Sequence, residues 1–173
     1  LEGTSMAAPI VAGIAGLVRR VNPDTTASDV IRALKESASR PAGSGWNAEL
    51  GWGIVDAGAA VNVVRAIDRR APQSKLSGRT RIRNGRSLTL RLRGRDPAPA
   101  GVIASGVDVF EVYRSVNRRP YRLIKRTRAN RLRVSVRPGV RYRYYTIAVD
   151  KAGNREGVPL KPDLSTRVDR RTR

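Results

Sequence analysis

The sequence predicts two unlike domains in series, a helical first part and an all-β sandwich of about a hundred residues behind it. Three observations carry this. Apolar residues recur at helical spacing up to about residue 70 and alternate with polar ones beyond Ala71-Pro72-Gln73-Ser74. Charge steps at the same place: residues 1–72 carry eight Lys/Arg against seven Asp/Glu, residues 73–173 twenty-seven against seven. Turn residues then punctuate the second part at sandwich spacing.

From Met6 to Val18 every residue is apolar, which predicts a helix buried on all sides. Its small residues, Ala7, Ala8, Ala12, Gly13, Ala15 and Gly16, admit close backbone neighbours. Arg19 and Arg20 suit its C-terminal dipole, and Asn22-Pro23 stops it. The apolar run is shorter than the ~20 residues a spanning helix needs, so no membrane span is expected.

A second helix is expected over 27–38, with Thr26 as N-cap and Asp29 completing a capping box. Val30, Ile31, Leu34 and Ala38 would share its inner face. A Gly/Pro/Ser loop from Ser39 to Gly45 runs on to Trp46, and Gly51 to Val55 reads as extended. Asp56 should cap a third helix reaching about Ile67, with Ala57, Ala60, Val61 and Val64 inward.

In the second part Leu88, Leu90 and Leu92 alternate with Thr89, Arg91 and Arg93. Leu132, Val134 and Val136 alternate with Arg131, Arg133, Ser135 and Arg137. Val107–Arg114 and Tyr142–Asp150 also read as strands. From Pro162 the chain reads as a basic tail, frayed or an edge strand.

There is no cysteine, which excludes disulfides and thiolate metal sites. There is no histidine, so no Ser-His-Asp triad can be assembled within these residues. Thirty of the thirty-five basic residues are arginine, and the net charge is +21. Such charge fits a surface for nucleic acid, cell-wall polymer or anionic lipid, or a solvated arginine-rich surface that binds nothing. With no recognition motif beside it, the second reading is the simpler. If the arginines of 91–93, 131–137 and 141–143 lie on one sheet they form a continuous positive face; if they are split between sheets, they do not.

The segment Gly3-Thr4-Ser5-Met6-Ala7-Ala8-Pro9 places a hydroxyl at the entry to the apolar helix. There the first backbone N–H groups lack intrahelical partners and the dipole is positive, which suits a developing oxyanion. Pro9 has no N–H to give to the Ser5 carbonyl, and Gly3 permits a tight approach. On residue type alone, Thr4 or Ser5 is more simply a helix cap. A Ser-Lys pair is unsupported, because Ala8 stands three residues after Ser5.

The stretch GTSMAAPIVAGIAGLV resembles, almost residue for residue, the active-site serine segment of the subtilisin-like proteases (subtilases). Gly51-Trp52-Gly53-Ile54-Val55-Asp56-Ala57 is similar to a motif near the end of that family's catalytic domain, and stands in the right order. The resemblance covers residues 1 to about 67. It implies that Ser5 is the nucleophile, its backbone N–H part of the oxyanion hole. The family's catalytic Asp and His, its oxyanion Asn and its usual calcium sites are absent from this chain. As given it is therefore expected to be inert.

Residues 138–154, PGVRYRYYTIAVDKAGN, resemble the late strands of fibronectin-type-III or bacterial Ig-like modules, with Tyr142 at the position whose hydroxyl bonds back to the backbone. The domain has no Trp, so Phe110 or Tyr113 would fill that core role.

The resulting expectation is the C-terminal helical portion of a subtilase α/β domain (1–71), an Ig/fibronectin-III-like β-sandwich (72–162) and a basic tail (163–173). The abrupt start reads as a truncated chain. The function expected is secreted, serine-type endopeptidase activity on protein or peptide substrates in a full-length parent. The alternative is a basic β-sandwich that docks on anionic cell-surface polymers. No metal site and no cofactor is expected in this segment, with calcium left to the remainder of the parent. No helix-turn-helix or zinc pattern calls for sequence-specific nucleic acid.

Overall fold

The computed structural model describes residues 3–40, 45–83 and 85–170. Residues 1 and 2, the 41–44 part of the expected loop and the last three residues of the expected tail lie outside the described residues. The chain divides into two compact units, Leu1–Arg70 with Ala98–Ala104, and Ala71–Pro97 with Ser105–Arg173.

The first unit is helical: α1 (Thr4–Val21), α2 (Ala27–Ser37) and α3 (Ala57–Arg65). Its small core joins Val18 of α1, Val30 and Ala33 of α2, and Ala60 and Val64 of α3. Val18 is the one fully buried residue of α1. Met6, Ile10, Val11 and Leu17 are exposed, Ile10 by 60 %. The all-round burial expected of this helix is thus not met by the three-helix unit, which has too few elements to cover it. With its polar ends, α1 reaches 18 residues, and by length and composition alone such a helix could cross a membrane. Ile14, Ala15 and Val21 pack with Val18 on the small core, as in a core helix.

The polar links are more specific. Asn22, fully buried, donates its side-chain amide to the carbonyls of Val64 at 2.9 Å and Ile67 at 2.7 Å, tying the end of α1 to the end of α3. Its backbone carbonyl accepts the Thr25 hydroxyl at 2.7 Å. Thr26 caps α2, with Asp29 returning a carboxylate to the Thr26 amide, so the expected capping box is formed. Asp29 also receives Arg69 through two bonds, at 2.9 and 2.7 Å. Asp56 caps α3 by accepting from the Ala59 amide at 2.8 Å. Ala98–Ala104 joins this unit through Arg65: its Nε donates to the Gly101 carbonyl, and its carbonyl accepts from Ile103, both at 2.8 Å.

The second unit has two sheets. One is three-stranded, β1 (Gln73–Ser77), β3 (Ser87–Arg95) and β6 (Arg131–Ser135), in the order β1-β3-β6. The other runs β2-β8-β7-β4-β5, built from β2 (Arg81–Ile82), β4 (Val107–Val116), β5 (Arg122–Thr127), β7 (Arg141–Asp150) and β8 (Leu164–Val168). All pairings are antiparallel except β2 with β8. Leu76, Leu88, Leu90 and Leu92 of the first sheet and Phe110, Val112, Tyr144 and Leu164 of the second share one apolar core. Phe110 lies in this core with Tyr142 and the fully buried Tyr144, and a Cβ on Gly94 would stand 2.9 Å from the Phe110 ring. Tyr113 instead stacks on Tyr145 at 4.8 Å on the other face of the sheet.

At the turn into β7 the Tyr142 hydroxyl accepts the Arg137 amide at 2.9 Å. Glu156 closes open backbone on both sheets. Its carboxylate takes the Ala148 amide at 2.9 Å and the Ser74 amide at 2.8 Å, together with the Ser74 hydroxyl.

Two expectations are corrected. The stretch from Pro162 is not a frayed tail over its described residues. Leu164, Thr166 and Val168 point into the core, and β8 lies between β2 and β7. The arginines are also split: 91, 93, 131 and 133 lie on the three-stranded sheet, and 141 and 143 on the five-stranded one. The single face spanning all of them does not exist.

Candidate active site

Ser5 occupies the second position of α1 and is exposed. Its setting follows from the two residues before it. Gly3 is the N-cap at φ 126°, in the left-handed region that glycine enters without strain. It has no side chain, and no side-chain oxygen caps the helix. The Gly3 carbonyl instead accepts the Met6 amide at 3.0 Å and the Ala7 amide at 3.3 Å. The amides of Thr4 and Ser5, placed ahead of these, have no acceptor within the helix. Pro9, inside the helix, supplies no N–H for the Ser5 carbonyl.

This bears on the simpler sequence reading, in which Thr4 or Ser5 served as the cap. The cap is Gly3, so the Ser5 hydroxyl is not used to start the helix. A nucleophile would need this: an accessible hydroxyl beside amides that have no acceptor within the helix, at the positive end of an 18-residue helix.

The second motif is structural. Ser39 and Ile54 exchange both backbone bonds, at 2.7 and 2.9 Å. A Cβ at Gly53, φ 109°, would lie 2.6 Å from the Ser39 carbonyl oxygen. Only glycine fits there. The Arg40 Nε donates to the Trp52 carbonyl at 2.6 Å, and the Lys35 ammonium stands 4.8 Å from the Trp52 ring. Trp52, Val11, Ile31, Leu34 and Val55 line an apolar groove of about 340 Å³. Ile31, expected on the inner face of α2, is 52 % exposed in it.

Asp29 is a strongly perturbed acid of this unit. The Arg69 guanidinium bonded to it, with the Thr26 amide, holds its carboxyl well below the usual range. It lies in the α2 cap and is bonded to Thr26, Arg69 and no part of the α1 entry, so it is structural. Sequence reasoning missed both longer-range links of this unit, Arg69 on Asp29 and Asn22 on Val64 and Ile67, because each joins residues forty or more positions apart.

Comparison with known proteins follows the same division. The model of the subtilase family (Peptidase_S8) matches residues 1–53. Mycosin-4 of Mycobacterium tuberculosis is 44 % identical over 62 residues, which is 36 % of this chain and 13 % of that protein. Mycosin-2 of the same organism is 42 % identical over 71 residues, 40 % of this chain and 13 % of that protein. Subtilisin-like protease 1 of Plasmodium berghei is 57 % identical over 37 residues, 21 % of this chain and 6 % of that protein. The chain spans about an eighth of the length of the two mycosins. The part that carries Ser5, α1 and α2 is thus a segment similar to the subtilase family of serine proteases.

Proposed function

We propose that this chain is the serine-bearing portion of a subtilisin-like endopeptidase, with Ser5 as its nucleophile, joined to an Ig/fibronectin-III-like β-sandwich. The observation that carries the first half is the α1 entry: Gly3 caps the helix and, among the described residues, leaves the exposed Ser5 hydroxyl and the amide beside it uncommitted. The family match over the same residues supports it. The split into three and five strands, and the Tyr142 hydroxyl bonded back to Arg137, support the second half.

In the reaction, Ser5 Oγ attacks the scissile carbonyl carbon and its proton passes to a base. The carbonyl oxygen becomes an oxyanion facing the Ser5 amide and the positive end of α1. The amine leaves with the proton, and water then hydrolyses the acyl ester on Ser5. With no histidine among the 173 residues, the base belongs to the rest of the parent, and this chain alone is inactive. The same reading makes protein or peptide chains the substrates and the extracellular space the workplace. It assigns this segment no cofactor and no membrane span, and leaves calcium to the remainder of the parent.

The test is covalent labelling. A full-length parent treated with a fluorophosphonate probe should carry the adduct on the peptide containing Ser5. Ser5→Ala should abolish both the adduct and casein hydrolysis. A full-length parent that cleaves casein with Ser5→Ala in place would end this reading.

A further inference from the structure

The outer face of the three-stranded sheet is basic without relief. Lys75 of β1, Arg91 and Arg93 of β3, and Arg131 and Arg133 of β6 all point away from the core and are exposed. The register sets Lys75 opposite Arg93, and Arg91 opposite Arg131. Like charges directly opposite on neighbouring strands repel and cost stability. None of the three strands contains an acid or an aromatic residue.

This face runs into a concavity of about 990 Å³ lined by Arg79, Arg81, Arg83, Arg91 and Arg133. Arg81 is paired with Asp169 at 2.9 Å, and Arg133 donates to the Ser87 hydroxyl at 3.1 Å. Among the described residues, no carboxylate forms an ion pair with Arg79, Arg83, Arg91 or Arg133. Elsewhere the same unit places its acids on arginines: Asp108 on Arg128 at 2.8 Å, and Glu111 on Arg155 at 2.8 Å. In the cleft, among the described residues, such neutralisation reaches Arg81 alone, through Asp169.

We propose that this cleft and the adjoining sheet face bind a phosphodiester polymer of the kind that carries no stacking bases, such as a poly(glycerol phosphate). Four features point there. Guanidinium forks bind phosphate oxygens in pairs. Charges two residues apart on a strand recur about every 7 Å, a spacing comparable to that of successive phosphates in such a chain. The positive strip continues beyond the cleft to Arg93 and Lys75, which suits a polymer over a single ion. The face offers no aromatic platform, which single-stranded nucleic acid uses for its bases. An anion bridging Arg91 and Arg131 would also turn their mutual repulsion into attraction. The inference is independent of the role given to Ser5.

The experiment measures binding of the full 173-residue chain to poly(glycerol phosphate), with poly-glutamate and single-stranded DNA as rival probes. The cleft variant is Arg83→Gln/Arg91→Gln/Arg133→Gln. The control, Arg119→Gln/Arg122→Gln/Arg141→Gln, removes equal charge from the other sheet and its β4–β5 connection. Both should keep the wild-type melting temperature, since surface substitutions of this kind are nearly neutral. The cleft variant should weaken binding by at least about thirtyfold near physiological salt and lower the slope of log K against log salt by about 2. The control should lose less than about threefold. Equal losses in the two variants, no binding by the wild type, or tighter binding to DNA or poly-glutamate would each overturn the proposal.

Discussion

Asn22 and Val64 lie 42 residues apart, and the side-chain amide of one donates to the backbone carbonyl of the other at 2.9 Å in a fully buried setting. The same amide serves Ile67, so one side chain satisfies two carbonyls at the end of α3. A buried carbonyl left without a donor costs about 1–3 kcal/mol. The Val64 carbonyl also accepts the Ile67 amide at 3.1 Å, so Asn22→Ala takes a donor from both carbonyls but strands only that of Ile67. It should destabilise the helical unit by roughly 2 kcal/mol. Urea unfolding of the full chain followed by helical circular dichroism measures this. A cost below about 1 kcal/mol would mean that water replaces the amide.

Asp29 gives a pH signature. Its carboxyl is held low in the folded chain, first by the Arg69 guanidinium and then by the Thr26 amide. A group with a depressed folded pKa contributes stability above its unfolded value, near 4, and loses it as pH falls further. Helical stability should decline as pH is lowered from about 5 to 2. In Asp29→Asn the curve should start lower and be flatter. The contribution is modest because the Arg69 side chain is 43 % exposed and screened by solvent. Parallel curves for the two proteins would place the acid sensitivity elsewhere.

The Tyr142 hydroxyl tests the β unit. Tyr142→Phe removes one acceptor, that of the Arg137 amide, while keeping the buried ring. It should cost about 1 kcal/mol. Tyr142→Ala also empties ring volume from the core and should cost about 3–5 kcal/mol. Thermal unfolding of the two variants gives the comparison, and equal losses would assign the whole effect to the hydroxyl.

Local signals were legible in the sequence. Thr26 with Asp29, Asp56 before α3, and the alternation of Leu88, Leu90 and Leu92 each specify a structure within a few residues. So did the placement of Ser5 at a helix entry, although not the fact that Gly3 takes the cap. What escaped depends on distant partners. Asn22 read as a stop signal, since nothing nearby announces Val64 and Ile67. The strand alternation put Arg141 and Arg143 outward, but sheet membership depends on pairing between strands far apart in sequence. β8 read as a tail because its charges drew attention from the alternation of Leu164, Thr166 and Val168. β5 was not seen at all: its sequence, RLIKRT, is largely polar and it lies at a sheet edge.

The cleft on the β unit is lined by arginines alone among its ionisable groups, in a chain without histidine. A guanidinium keeps its proton throughout the physiological range, and no imidazole is present to change charge between about pH 5 and 8. Acidification within that range therefore leaves the hold of the cleft on an anion unchanged. Dissolved salt, by contrast, competes with it directly. Between about pH 5 and 8 the surface reads the ionic strength of its surroundings and not their acidity: grip should be firm in dilute media and weaken steadily towards brine.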